Sequence, residues 1–256
     1  MNDKIALITG ATSGIGEAAA EALAGAGFDL VITGRREDRL QLLEKRLAAT
    51  GTRVLSLCFD VRDQAATRRA IESLPASWQG VDVLVNNAGL AVGTRPLHEG
   101  ILDDWERMID TNIKGLLYVT RAVAPLMIRR GRGHILNIAS IAGKEIYPGG
   151  NVYCATKHAV DALSRGMRVD MVSRGIKVTN IAPGMVETEF SVVRYKGDEQ
   201  AAANVYSGLQ PLDARDVAEV ILFAVTRPPH VCLNDVVIMP TAQASARDVH
   251  RESASR

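Results

Sequence analysis

The stretch PGGNVYCATKHAV, residues 148–160, sets Tyr153 and Lys157 four positions apart. On a helix that spacing brings both side chains to one face. In a chain with five Tyr and seven Lys, chance supplies about 0.14 such pairs. The chemistry open to the pair is proton transfer. A free phenol has a pKa of about 10, and an adjacent ammonium together with the cationic ring of a bound molecule could lower it toward the range of general acid–base catalysis. Ser140, in NIASIAG, could hydrogen-bond a carbonyl oxygen and steady a developing alkoxide; the alternative is a helix cap. Asn112, in DTNIKG, could hold a water that relays protons to Lys157; the alternative is a polar residue that bends its helix. For the pair itself the alternative is an ordinary polar stripe.

Groups of this kind must be held by a framework, and the sequence supplies one. Short apolar, β-branched runs lie at 4–9, 29–33, 53–59, 81–85, 134–139, 177–182 and 235–239. Most are continuous rather than alternating, as expected of strands buried on both faces. Helical patterns fall between them at 14–26, 37–49, 63–74, 104–130, 151–174 and 214–226. This alternation predicts an α/β fold, a doubly wound parallel sheet with helices on both faces. Right-handed crossovers then gather the carboxyl ends of the strands at one edge, where such sheets bind ligands. Ser140 ends the fifth strand, at that edge.

The same edge carries a phosphate-binding pattern. TGATSGIG places Gly10, Gly14 and Gly16 directly after the first strand, with Thr12, Ser13 and Ile15 between and beside them. Glycines there permit positive φ and let backbone N–H groups approach a pyrophosphate at the helix N-terminus; a plain tight turn is the alternative. The second strand ends in TGRRED, where an acid would hold an unphosphorylated ribose. Arg35 and Arg36 stand there instead. Positive charge at a helix start opposes the macrodipole, so the pair suits an anion such as a 2′-phosphate, and NADP(H) is the expected cofactor. A solvated pair offset by Glu37 and Asp38 is the alternative. Asp60, followed by Val61, ends the third strand where an adenine amino group could be met, or else caps the helix that begins near Asp63. In VNNAGL, Asn86 and Asn87 can bridge strand ends while Ala88 and Gly89 let backbone lie against a ribose.

Bulk properties narrow the class. The 256 residues are 47% hydrophobic and 23% charged with a net charge of +1, which reads as globular and offers no field for nucleic acid. Three widely spaced cysteines (58, 154, 232) make neither a disulfide framework nor a zinc site and fit a reducing cytoplasm. The five histidines form no ligand pattern, and no metal is expected. No signal peptide or membrane span is legible. The chain reads as one catalytic domain over residues 1–240, with a substrate lid at 185–212 and a polar C-terminal tail, 241–256. The tail's composition favours extended or partner-dependent structure.

TGATSGIG (9–16), NNAG (86–89), Asn112, Ser140, Tyr153-x-x-x-Lys157 and Pro183-Gly184 together resemble the short-chain dehydrogenase/reductase family, in its order and spacing, over residues 4–240. The resemblance implies a Rossmann-type sheet of seven strands, a tetrad of Asn112, Ser140, Tyr153 and Lys157, and a homotetramer. It also implies cofactor contacts from Tyr153, Lys157, Pro183, Gly184 and Val186. Further stretches, among them YPGGNVYCATK and PGMVETEFSVVRYKGDEQAA, resemble the bacterial NADP-dependent 3-hydroxy acid dehydrogenases and a sister group that reduces sulfoacetaldehyde. Two departures stand out: Cys154 and Glu187 occupy positions where that group often has, or is expected to have, Gly.

A small anionic hydroxy or oxo substrate needs a cation near the reacting carbon. Arg194 and Lys196 in the lid are the candidates, with a solvated basic loop as the alternative, favoured for Lys196; Tyr147 could add a hydroxyl. In the expected oxidation the substrate oxygen sits between Ser140 and Tyr153, and the phenolate takes its proton as hydride leaves for nicotinamide. Broad carbonyl reduction and sulfoacetaldehyde reduction are the enzymatic alternatives. A protein that senses NADP(H) without turnover is the alternative of another class.

Overall fold

The computed structural model describes residues 4–252. Residues 1–3 and 253–256, the outer ends of the expected domain and tail, lie outside the described residues. Strands β1 (Ile5–Thr9), β2 (Asp29–Gly34), β3 (Val54–Cys58), β4 (Val81–Asn86), β5 (Gly133–Ile138), β6 (Ile176–Pro183) and β7 (Asp235–Ile238) form one sheet in the order 3-2-1-4-5-6-7. Every pairing is parallel. The chain order reverses between β1 and β4, the switch point at which such sheets open a ligand crevice.

The pleat explains why the strand runs are apolar throughout. Ala6 and Ile8 of β1 enter one core layer with Leu30, Ile32, Val83 and Val85. Ile5 and Leu7 enter the opposite layer with Val31, Val81 and Leu84. Successive side chains point to opposite faces, and both faces are covered. Helices α1 (Gly14–Gly25) and α2 (Glu37–Ala48) pack on the first layer together with Val217 and Ile221 of a later helix. Helix α3 (Gln64–Glu72) lies on the second layer. Asp63 caps α3 by accepting the Ala66 N–H at 2.9 Å, so the cap is Asp63 rather than Asp60.

The pattern at 104–130, expected as one helix, is broken. Helix α4 (Leu102–Ile109) passes through a π-helical turn (Asp110–Gly115) into α5 (Leu116–Arg130). The wider turn sets Asn112 inward, 2% exposed. Its Oδ1 accepts the Leu90 N–H and its Nδ2 donates to the Leu90 carbonyl, both at 2.8 Å, with a further bond to Thr156 Oγ1 at 3.0 Å. Such turns recur at functional sites; this one ties the loop after β4 to α6 (Asn151–Met171).

The lid folds as two short helices, α7 (Glu189–Arg194) and α8 (Glu199–Asn204), before α9 (Ala214–Val225). Its ends are joined by a bridge between Val186 and Leu212. The described part of the tail is neither extended nor free. Gln243, buried, accepts the Met185 N–H at 2.8 Å; Arg251 donates to the carbonyls of Val205 and Ser207; and Glu252 N–H donates to the Gly208 carbonyl at 2.7 Å. Carbonyls left open beyond α8 find a cation there, an attraction that composition alone does not disclose. Among the described residues no helix is long and apolar enough to cross a membrane.

Two outcomes are expected. His134 is buried between β5 and β6, its Nε2 2.7 Å from Thr179 Oγ1 and its Nδ1 without a partner among the described residues. Burial, then nearby Lys177, push its pKa down to about 3. Between that value and about 6.5 the unfolded chain binds a proton that the folded chain refuses, so stability falls on acidification through this window. His134→Asn should flatten the slope by up to about 1.4 kcal/mol per pH unit, read from urea unfolding at a series of pH values. Asn112→Ala strips partners from the buried N–H and carbonyl of Leu90, and the same assay should show a loss of about 1–3 kcal/mol.

Candidate active site

Loops at the carboxyl ends of β1 to β6 converge on a cavity of about 680 Å³. Of the residues singled out from sequence, Gly10, Thr12, Ser13, Gly14, Ile15, Arg35, Arg36, Asp60, Val61, Asn87, Ala88, Gly89, Ser140, Tyr147, Tyr153, Lys157, Pro183, Gly184, Val186 and Arg194 line it. Gly16 and Asn112 stand behind the wall. A Cβ on Gly16 would meet the Gly10 carbonyl oxygen at 2.3 Å and Asn87 Nδ2 at 2.4 Å, so this glycine is required for α1 to approach the turn. Gly10 and Gly14 adopt φ of +67° and +55°, open to glycine and strained for other residues. Ser13 precedes α1 without a side-chain capping bond, which leaves the helix start available to an anion. Asn87 secures the turn from β4, donating to the carbonyls of Thr9 (2.9 Å) and Gly10 (3.1 Å).

Tyr153 and Lys157 lie one turn apart on α6, both buried. Lys157 Nζ donates to the Ile138 carbonyl at 2.8 Å and sits 5.9 Å from the centre of the Tyr153 ring. Burial draws the pKa of Lys157 down to about 8. The lowering expected for Tyr153 called on a cationic nicotinamide ring as well as Lys157, and the chain's own groups act in the other direction. Desolvation first, then Tyr147, push its phenol well above the ordinary range; a hydrogen bond from Ser140 and the charge of Arg194 oppose this without overcoming it. Ser140 caps the turn that follows by accepting the Ala142 N–H at 3.1 Å, and it also lines the cavity.

The lid closes this end. Arg194, the last residue of α7, donates to the Tyr147 hydroxyl at 3.0 Å, and its guanidinium lies 6.0 Å from the Tyr153 ring. Arg194 Nε is buried and has no partner among the described residues. Lys196 turns elsewhere. Its φ is +55°, and its ammonium pairs at 2.7 Å with the buried carboxylate of Asp104, clamping the lid to α4. Glu187 is exposed and does not line the cavity. Several contributors were not singled out from sequence. Phe190 packs on Tyr153 at 5.7 Å between ring centroids, Tyr206 donates to the Val186 carbonyl at 2.8 Å, and Arg251 of the tail reaches the cavity wall. Their aromatic side chains, within the lid read at 185–212, were the available signal for the first two.

At the other end Arg36 donates to Thr12 Oγ1 (2.9 and 3.1 Å), Ser13 Oγ (2.8 Å) and the Thr12 carbonyl (3.3 Å). Glu189 of α7 accepts from Arg36 at 2.9 Å and from Arg39, a residue not anticipated here, at 2.6 Å. Hydrogen bonds from Arg36, then Arg39, hold the Glu189 carboxyl below its usual range. Arg35 is more exposed, with its nearest acid, Asp60, at 3.8 Å.

Comparison with known proteins agrees with this geometry. The short chain dehydrogenase family model matches residues 4–199. NADP-dependent 3-hydroxy acid dehydrogenase YdfG of Salmonella typhi is 48% identical over 249 residues, 96% of this chain and 99% of that protein. Sulfoacetaldehyde reductase 2 of Chromohalobacter salexigens is 48% identical over 250 residues, 97% of this chain and 99% of that protein. Among solved structures, the closed form of serine dehydrogenase complexed with NADP+ superposes with a TM-score of 0.92 at 46% identity, covering 97% of this chain and 100% of that one. The sheet order, the cavity at its carboxyl edge and these matches lead to one conclusion: the chain belongs to the short-chain dehydrogenase family.

Proposed function

We propose that this chain is an NADP(H)-dependent oxidoreductase that interconverts a small 3-hydroxy acid, of the serine, allo-threonine or 3-hydroxypropionate type, with its 3-oxo acid or semialdehyde. The observation that carries the reading is that Tyr153, Ser140 and the half-buried Arg194 share one cavity. A phenol able to move a proton, a hydroxyl to hold oxygen and a cation for an acid group are what this reaction needs. The match to YdfG-type relatives supports the substrate class.

The residues present fit the cofactor. The Gly10–Gly16 turn and the uncapped start of α1 suit its pyrophosphate, and Arg35 and Arg36 suit its 2′-phosphate. Of the other lining residues, Asp60 and Val61 would hold adenine, Asn87 to Gly89 and Lys157 the ribose, and Pro183, Gly184 and Val186 the nicotinamide. When bound, the nicotinamide supplies the hydride acceptor or donor. In oxidation Tyr153 accepts the hydroxyl proton of the substrate while Ser140 holds that oxygen; in reduction Tyr153 returns the proton. Burial raises the phenol, and cationic neighbours are needed to bring it back toward the range in which it can both give and take a proton. Lys157 acts from below, its ammonium oriented by the Ile138 carbonyl. Asn112 works through structure, holding Leu90 and Thr156 in place.

Reduction of sulfoacetaldehyde is the second reading, favoured by the equally similar reductase; Arg194 would meet a sulfonate as readily as a carboxylate. The chain is read as one domain over 1–240 with its lid and tail. Exposed Leu102, Ile109 and Leu117 on α4 and α5, with Val169 and Val172 at the end of α6, support a homotetramer. Three free cysteines are in keeping with the cytoplasm.

Initial rates with 3-hydroxypropionate, L-serine, L-allo-threonine and isethionate, and with semialdehydes and sulfoacetaldehyde in reverse, test the substrate. Higher kcat/KM for the carboxylates is expected; preference for the sulfonates would replace this reading with the second. Tyr153→Phe should lower kcat by about 10²–10⁴-fold while NADPH still binds. Arg194→Ala should lower kcat/KM for the acids by about tenfold to a hundredfold, and an uncharged aldehyde of similar size should be largely spared.

A further inference from the structure

We propose that Glu189 is an internal counterion of the 2′-phosphate subsite, a lid residue that NADP(H) displaces and NAD(H) leaves in place. The inference rests on the cofactor reading above and concerns how that end of the cavity discriminates. Glu189 uses one carboxylate oxygen for each arginine, Oε2 toward Arg36 and Oε1 toward Arg39. It bridges two guanidinium groups as a phosphate would. Nε and Nη2 of Arg36 are already turned inward, to the hydroxyls of Thr12 and Ser13 and the Thr12 carbonyl. Nη1, the nitrogen that Glu189 engages, is therefore the one left to face an incoming anion.

Two anions cannot both hold it without repulsion. A 2′-phosphate seated against Arg36 drives the carboxylate off, whereas a dinucleotide with a free 2′-hydroxyl brings no charge and no competition. All three side chains are about two-fifths to one-half exposed, at 39%, 41% and 47% for Arg36, Arg39 and Glu189, so exchange needs no unfolding and is sensitive to salt. Glu189 is also the first residue of α7, and Arg194 is its last. One short helix thus joins the phosphate end of the cavity to the substrate end, and release of Glu189 frees the helix that carries Arg194.

The test is calorimetric titration of the full chain and of Glu189→Gln with NADPH, NADH, 2′,5′-ADP and 5′-AMP, at low and high salt. Removal of the competing charge should tighten NADPH and 2′,5′-ADP by about two- to fivefold, leave NADH and 5′-AMP unchanged, and have less effect at high salt. Weaker binding of the phosphorylated ligands, or equal changes for both kinds, would overturn the proposal while the parent's preference for NADPH stood. If the parent itself shows no preference for the 2′-phosphorylated ligands, the cofactor reading fails and this proposal fails with it. Hydrogen exchange gives a second readout on the parent protein. Amides of residues 189–194 should exchange faster with 2′,5′-ADP than with 5′-AMP; equal exchange would contradict displacement.

Discussion

A parallel sheet covered on both faces leaves its polar backbone accessible only at the strand ends, and everything chemical in this chain follows from that constraint. The seven strands point the same way, so six successive loops meet at one edge. The lid after β6 delivers the largest share of the lining and the other loops a few residues each, and the sheet fixes their separations because its strands cannot slide without moving apolar residues out of two core layers.

The sheet was legible in sequence for the same reason. Continuous apolar runs mark strands buried on both faces, and all seven appear within a residue or so of their observed limits. Groups attached directly to strand ends, such as Asp60, Asn87 and Ser140, were also legible, since their position follows from the strand. What escaped notice depends on contacts distant in sequence. Glu189 lies 150 residues from Arg39, its partner, and no local period announces that meeting. Asn112 was legible as a residue that could bend its helix, but not the π-helical turn itself, because its partner Leu90 lies 22 residues earlier. The tail read as extended or partner-dependent because its partners within the chain are carbonyl groups, which composition does not reveal.

The direction of the shift at Tyr153 teaches a related lesson. Spacing on a helix suggests an electrostatic couple, but it says nothing of how much water the fold removes. Here Lys157 directs its ammonium at the Ile138 carbonyl and stands over the tyrosine ring, while desolvation acts on both side chains. Burial disfavours the charged form of each, raising the phenol and lowering the amine. The two pKa values thereby move toward opposite ends of their usual order, and the site is poised by exclusion of water as much as by charge.

The bridge between Val186 and Leu212 has a consequence for how such a protein can change. It brings the two ends of the lid together on the sheet's edge, with Glu187 N–H and Leu212 N–H each bonded across the gap. Closure of the intervening segment is thus secured at its base, and the entropy of a loop grows only slowly with its length. Residues between the two anchors are free to lengthen, shorten or be exchanged as a cassette with little strain on the strands beneath. A descendant could acquire a new substrate through that segment alone and inherit its proton-transfer machinery unaltered.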